Sequence, residues 1–357
     1  KSLINLGINI GEANYKALDR YLTYIWCPGE ETASKDVKKF LPGNAFIIKK
    51  GIITDKFNWY SLPISSQKSK IFNKDVCVDL TRKYLREAVK KQMISNVPVG
   101  AFLSGGLDSS SIVSFAREFN PNIDCFTIKS KDYLDKDGYV DDYSYAVRVS
   151  KHLNVSLHVV EVDDSILINS IEDMIYQLDE PIADPAAINV YLISNLARKY
   201  GIKVLLSGTG GDDIFSGYRR HLAIELESYW SYLPYSIRKF LKNKTSTLNV
   251  RKPLLRRFRE AFRGADLCKE ERLINYFSWI EKKDLQKLYS DDFLEKLDDS
   301  SSDKQIKSYL SNLSSPLSQL EKMLLIEQRF YLPDHNLLYT DKMSMKAGVE
   351  ARVPFLA

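Results

Sequence analysis

The chain has 357 residues, 44% of them apolar and 27% charged, with a net charge of +5. This composition suits a globular protein with a true core, and at roughly 150 residues per domain it allows about two domains. The charge excess is too mild to demand a polyanionic partner, and no apolar run approaches the ~20 residues needed to cross a bilayer.

Lys1 stands where a methionine would, and no leader with a basic n-region, apolar h-region and small-residue cleavage site follows. The expectation is the edge of a fragment. Cys27, Cys77, Cys125 and Cys268 are far apart and form no C-x-x-C pair, which argues against a disulfide scaffold or a structural zinc site. Cys125 sits in the apolar run Cys125-Phe126-Thr127-Ile128 and reads as a buried, inert thiol. His152, His158, His221 and His335 are equally scattered. A reducing, cytoplasmic setting fits best.

In chain order, residues 1 to about 70 mix short strand-like runs with turns, as in Ala45-Phe46-Ile47-Ile48 and Gly51-Ile52-Ile53-Thr54. They read as a small β edge, not a complete domain. From about 75 to 220, helical and strand periods alternate. Between Val78 and Met93, Leu80, Tyr84, Ala88 and Gln92 recur four apart. The apolar run Val97 to Leu103 follows, and then a helix from Ser109 to Phe119. Cys125–Ile128, Leu157–Val162 and Lys203–Leu206 read as further buried strands, each separated by a helix-length segment. Alternation of this kind predicts βαβ units and a mostly parallel sheet. The helix before the last strand is punctuated by Asp184 as N-cap, Pro185 at its first position and Gly201 after its last turn. Residues 221–357 read as almost entirely helical. They include a basic stretch from Arg251 to Arg263, whose Phe258 and Phe262 are expected to pack inward, and an exposed loop at Ser300-Ser301-Ser302.

The chemistry is concentrated where strands end. Phe102-Leu103-Ser104-Gly105-Gly106-Leu107-Asp108-Ser109-Ser110 lies between an apolar strand and a helix, the position at which α/β sheets bind ligands. Two glycines let the backbone approach an anion closely, and the following helix offers free N–H groups and its positive dipole end. Ser104, Ser109 and Ser110 add hydroxyls, and Asp108 can hold a divalent cation that bridges phosphates. No Gly-Lys-Ser/Thr follows, so this is not a Walker loop, nor is it a dinucleotide fingerprint. Ser207-Gly208-Thr209-Gly210-Gly211-Asp212-Asp213 repeats the logic after a second buried strand. Together Asp108 and Asp212 supply one acid from each of two loops, the arrangement that magnesium-assisted chemistry on ATP requires. A third element is the run Asp341-Lys342 through Gly348-Val349-Glu350-Ala351-Arg352-Val353-Pro354-Phe355-Leu356.

These motifs together resemble the synthetase domain of the glutamine-dependent asparagine synthetase family, whose relatives include the β-lactam and carbapenam synthetases. Leu18-Asp19-Arg20-Tyr21-Leu22 and Phe40-Leu41-Pro42-Gly43 are similar to the tail of that family's glutaminase domain, and Asp179-Glu180-Pro181-Ile182-Ala183-Asp184-Pro185 is a further match. The resemblance implies a doubly wound, mostly parallel sheet of the ATP pyrophosphatase (PP-loop) type, followed by a helical portion. It divides the chain into a glutaminase remnant over 1–70 and a synthetase domain over 71–357. Within the latter, 71–220 would be the ATP-binding core and 221–357 a truncated helical part. Leu103, Ile128, Ser207 and Gly208 would contact adenosine. Ser104, Gly105, Gly106, Asp108, Ser109 and Ser110 would hold pyrophosphate and Mg2+, with Asp212 completing the metal shell. Lys342 would stabilise negative charge as a carboxylate is adenylated. Ammonia derived from glutamine would then form the amide, with release of AMP. The family's N-terminal cysteine nucleophile is absent, and Cys27 lies in the wrong place to replace it. No nucleic acid or membrane span is implied, and a homodimer is left open.

The chain departs from the family at Thr209, where an acid near the reacting carboxyl is usual. Asp213 and Ser216 replace the more usual Glu and Gly, and Arg219, Arg220 and His221 follow. With Thr209, the two arginines are candidates for the acceptor pocket. Aspartate remains the leading acceptor, a uronic-acid sugar of bacterial surface polysaccharide is the alternative, and a tRNA-modifying ligase with the same loop is a further one.

Overall fold

A computed structural model of the chain describes residues 2–64, 73–131, 142–249, 252–297, 302–313 and 316–357. Arg251, Ser300 and Ser301 lie outside the described residues. Near the N-terminus, β1 (Asn44–Lys49) and β2 (Ile52–Asn58) pair antiparallel. Lys50 and Gly51 form the tip, with φ of 51° and 77°, the left-handed pair that a two-residue hairpin turn needs. This ribbon is separate from the main sheet, so the expected β edge is a hairpin of its own.

The alternating segment folds as predicted into parallel strands, β3 (Val99–Phe102), β4 (Asp124–Ser130), β5 (Ser156–Val162) and β6 (Val204–Leu206), joined by β7 (Glu350–Arg352). Their order is β5-β4-β3-β6-β7. The chain starts at β3, moves outward through β4 and β5, and returns to β6 on the other side of β3. That reversal opens a crevice at the carboxyl ends of β3 and β6. The pleat sorts side chains onto two faces. Cys125 and Leu206 join Ala101, Ile112 and Val113 on one face, while Phe126 and Leu205 join Ile193, Ala197 and Val349 on the other. The sheet is therefore buried on both sides, which explains why its strands read as continuous apolar runs.

Helices Lys74–Gln92, Leu107–Phe119 and Asp142–Leu153 contribute to the first face, and Ala186–Lys199 to the second. Leu107–Phe119 begins two residues earlier than expected, which puts Asp108 in its first turn. The helix Ala186–Lys199 has Pro185, not Asp184, at its cap position. Asp184 sits one residue before and still accepts the Ala186 N–H at 2.8 Å. At the other end Gly201 N–H donates to the Arg198 carbonyl and Ile202 N–H to that of Ala197, closing a Schellman motif on a left-handed glycine.

Among the described residues beyond 220 the chain forms helices and one strand, β7, which pairs in parallel with β6 and is the exception in a tail expected to be almost entirely helical. Three residues are too few to leave a period-two signal. Gln319–Ile326, Glu327–Leu337 and Leu338–Lys346 follow one another without a break, and the middle section is π-helical with Pro333 inside it. The wider register accommodates a residue that has no N–H to give. The largest core lies in this region, and Tyr24 and Trp26 from before β1 are part of it, with Phe277, Ile306, Met323 and Phe330. Trp26 is 1% exposed, and its ring lies 5.6 Å from that of Tyr331. Truncating such a residue costs about 3–5 kcal/mol, so this early segment is built into the helical part. Of the two phenylalanines expected to pack inward, Phe262 does so against Trp230 at 5.3 Å. Phe258 does not, being 50% exposed.

Gly201 has a φ of 82°, and a side chain there would meet nothing within 4 Å. Gly201→Ala therefore isolates the backbone penalty and should cost about 1 kcal/mol in urea denaturation; unchanged stability would contradict the left-handed cap.

Candidate active site

The helix Leu107–Phe119 starts on Gly106 with no side-chain cap, so its first N–H groups and positive dipole end face the crevice. Gly105 has a φ of 82° and lies so close to Tyr145 and Ala146 that a Cβ would overlap their backbone. Only glycine meets both conditions. The serines bind one another: Ser104 N–H donates to Ser109 Oγ at 3.2 Å, the two hydroxyl oxygens are 3.0 Å apart, and Gly106 N–H reaches Ser104 Oγ at 3.3 Å. The Ser110 hydroxyl is buried without a partner among the described residues.

The second loop lies directly on the first. A Cβ on Gly208 would sit 2.8 Å from the Ser109 nitrogen and 3.0 Å from Asp108 Cβ, and one on Gly211 would overlap the Asp108 carboxylate. That carboxylate accepts the backbone N–H of Asp212. Burial first, and then the neighbouring Asp212, push the Asp108 carboxyl up to about 6. Burial raises Asp212 as well. Among the described residues neither carboxylate forms an ion pair with Lys or Arg. Asp213 is fully buried and is pushed up to about 6 by burial and by Glu327, while Tyr218 donates to it at 3.2 Å.

Leu103, Ser104, Asp108, Ser109, Ile128, Ser207, Gly208 and Thr209 line one pocket of about 300 Å³. Gly105, Gly106, Ser110 and Asp212 belong to the same two strand-to-helix segments but are not among its lining residues. Sequence reasoning missed the remaining walls. Phe102 is the last residue of β3, and the rule that ligands sit at the carboxyl ends of strands would have found it. Phe126 and Thr127 lie in the middle of β4, where that rule gives no signal. Asp142, Val190, Ile193, Tyr339 and Thr340 close the pocket from helices, and their residue types carry no such signal.

Lys342, Arg219 and Arg220 are not among the lining residues. Lys342 lies one helical turn beyond Tyr339 and pairs with Asp179 at 2.5 Å. Burial pulls the Asp179 carboxyl up, but the Lys342 ammonium outweighs it and leaves it below the usual range. Arg219 is exposed at the first position of the helix Arg219–Glu227. Arg220 is tied down: its Nε donates to Glu327, and its guanidinium lies 4.0 Å from the Tyr218 ring and 4.6 Å from that of Tyr331. His221 Nδ1 accepts the Gly217 N–H at 3.0 Å, so the ring proton is on Nε2 and is donated to Glu327 at 2.8 Å. Thr209 shares a hydrogen bond of 2.8 Å with Ser207.

A family model described as Asparagine synthase matches residues 80–357. The chain belongs to the asparagine synthase family. The glutamine-hydrolyzing asparagine synthetase 1 of Bacillus subtilis is 30% identical over 97% of this chain, which covers 52% of that protein. The chain thus spans about half the length of that relative. An amidase of Penicillium rubens, chyE, is 28% identical over 58% of the chain and 33% of its own length. Among solved structures, the NH3-dependent NAD synthetase of Campylobacter jejuni aligns with 56% of this chain and 96% of its own, at 13% identity and a TM-score of 0.28. A likeness that loose carries no argument.

Three side chains of this asparagine synthase family member bear directly on the expected chemistry. Burial pushes the Cys27 thiol up to about 11, which leaves it inert as a nucleophile. No group of three or more His, Cys, Asp or Glu gathers for a metal among the described residues. Mg2+ ordinarily takes only one or two protein carboxylates, with phosphate and water completing its shell. Asp108 and Asp212, adjacent, raised and without a cation, fit that requirement.

Glu180 is held beside Lys39 and Asp334, with Oε2 buried and without a hydrogen-bond partner among the described residues. Burial raises its carboxyl from 4.5 to about 7. The folded chain therefore binds this proton more tightly than the unfolded one, and stability is lost as pH rises from 4.5 through about 7. Glu180→Gln should match the parent chain at pH near the lower value and exceed it above the upper one by about 1–3 kcal/mol. Urea midpoints measured on both sides of the window check this, and equal midpoints above it would refute the buried placement.

Proposed function

We propose that this chain is the synthetase half of a glutamine-dependent ligase that adenylates a carboxylate and converts it to an amide, with aspartate as the acceptor and asparagine as the product. The observation that carries this reading is the contact between the two glycine loops, which brings Asp108, the backbone of Asp212, and Ser104 and Ser109 to one end of a pocket. The uncapped helix behind Gly106 would bind the pyrophosphate portion of ATP, with Ser104, Ser109 and Ser110 directing hydroxyls at it. Leu103, Ile128, Ser207 and Gly208 would hold the adenosine, mostly through backbone. Asp108 and Asp212 would hold Mg2+, which supplies charge neutralisation at the phosphates when bound. Lys342 would leave Asp179 as charge builds at the α-phosphate, an interaction realised only during the reaction.

The acceptor carboxylate attacks the α-phosphorus, and the bond to the β-phosphate breaks with release of pyrophosphate. Ammonia then attacks the acyl carbon, loses a proton, and displaces AMP. The ammonia would come from glutamine hydrolysed in a domain outside this chain. ATP and free aspartate as substrates go with a cytoplasmic setting. Thr209 has a hydroxyl where an acid is usual, so it cannot take the ammonia proton or pair with an α-ammonium group. This is the weakest point of contact with aspartate.

The test is ATP–pyrophosphate exchange on the full-length protein. Asp108→Asn and Lys342→Met should each lower the exchange rate by about 100-fold or more; an unchanged rate in Asp108→Asn would overturn the metal assignment. Aspartate should stimulate exchange in the parent protein. Stimulation by uronates or nucleotide-linked uronates instead would replace aspartate as the acceptor.

A further inference from the structure

The basic stretch Arg251 to Arg263, which the ligase reading leaves unused, contains the helix Pro253–Phe262, and this packs against a second basic helix, Tyr235–Ser246. Residues 235–263 hold ten of the chain's 51 basic residues and one of its 46 acidic ones. That is a net +9 in a chain whose total is +5, so the rest of the chain is net −4.

Some of these cations are used inside the fold. Arg238 donates to the Ala265 and Leu267 carbonyls at 2.5 and 3.2 Å, and Lys242 pairs with Asp266 at 2.9 Å. The outward-facing ones are not. Lys239, Lys244, Lys252 and Arg257 are exposed, and among the described residues none forms an ion pair. Interleaved with them, Ile237, Phe240, Leu254 and Phe258 are 44%, 58%, 64% and 50% exposed. Ile237, Phe240 and Lys244 follow an i, i+3, i+7 spacing, and Leu254, Arg257 and Phe258 an i, i+3, i+4 spacing, so each set shares one helix face. Each of the two helices thus sets exposed apolar side chains beside an unpaired cation on the same face.

We propose that this pair of helices docks on an anionic membrane surface. The four apolar side chains enter the boundary between headgroups and acyl chains, and the cations meet lipid phosphates. Nucleic acid is the other polyanion such charge would attract, but Ile237 and Leu254 offer no ring on which a base can stack. The proposal stands apart from the ligase reading, because none of these residues touches the pocket.

Full-length protein is sedimented with vesicles of phosphatidylcholine, with and without phosphatidylglycerol, at low and high salt. It should bind only the anionic vesicles, and less at high salt. Lys244→Gln with Arg257→Gln should lower partitioning by roughly 20-fold, about fivefold per charge. Phe240→Ser with Phe258→Ser should lower it by about tenfold or more, with ATP–pyrophosphate exchange intact in both variants as evidence of folding. No binding to anionic vesicles would overturn the proposal. So would vesicle binding that survives the Phe240→Ser, Phe258→Ser pair, or RNA binding by parent and pair alike with no vesicle binding.

Discussion

Two loops can meet at the carboxyl ends of β3 and β6 only because neither carries a side chain where they touch. Gly208 lies on the backbone of Asp108 and Ser109, and Gly211 lies beneath the Asp108 carboxylate. Protein interiors are too densely packed to absorb even one methyl at such a contact without movement. The rest of the site depends on this closeness. It places the Asp212 N–H within reach of Asp108, sets the two carboxylates against each other, and leaves the uncapped helix facing the same space. Gly210 extends the arrangement, since a Cβ there would come within 2.8 Å of Leu356. The C-terminal motif is thereby seated on the second loop, with β7 beside β6.

The helical part is fastened to this crevice by a buried charge. Glu327 is fully buried and receives both Arg220 and His221, which follow the second loop in sequence. Removing one partner from a pair of this kind costs about 3–5 kcal/mol, because the remaining charge is stranded away from water. The same helical rod then passes Asp334, which accepts the Gly29 N–H at 2.7 Å and pairs with Lys39 at 3.0 Å. It continues to Tyr339 and Thr340 at the pocket wall and to Lys342 one turn on. One rod thus connects the segment before β1, the second glycine loop and the position of Lys342. Its π-helical register at Glu327–Leu337 is the local irregularity that accommodates Pro333 along that path.

Charge is also segregated. The acidic residues of the crevice stand among chain segments that are net negative as a whole, and the positive excess is concentrated in one helical pair. The proposed site for a metal-complexed nucleotide and a strongly cationic surface can share a chain when the two fields are kept on different elements, because exposed charges are screened within about 10 Å at ordinary ionic strength.

Much of this was legible in the residues themselves. Apolar runs separated by helix-length segments require a parallel sheet with helices on both faces, and glycine-serine-aspartate loops at strand ends have few uses other than holding an anion and its metal. Those are local properties of spacing and side-chain chemistry, so they determined the strands and the loops between them, and singled out the two acids as candidates, without any knowledge of packing. Tertiary structure alone decided what depends on segments far apart in the chain. It made Glu350–Arg352 a strand by giving it β6 as a partner. It drew Trp26 into a core built mainly from residues beyond 170, engaged Arg220 with Glu327 and turned Phe258 outward. Tyr339 and Thr340 became pocket wall for the same reason. A three-residue strand, a buried ion pair and the outward turn of one phenylalanine acquire meaning only from what lies opposite them, and no periodicity along the chain records that.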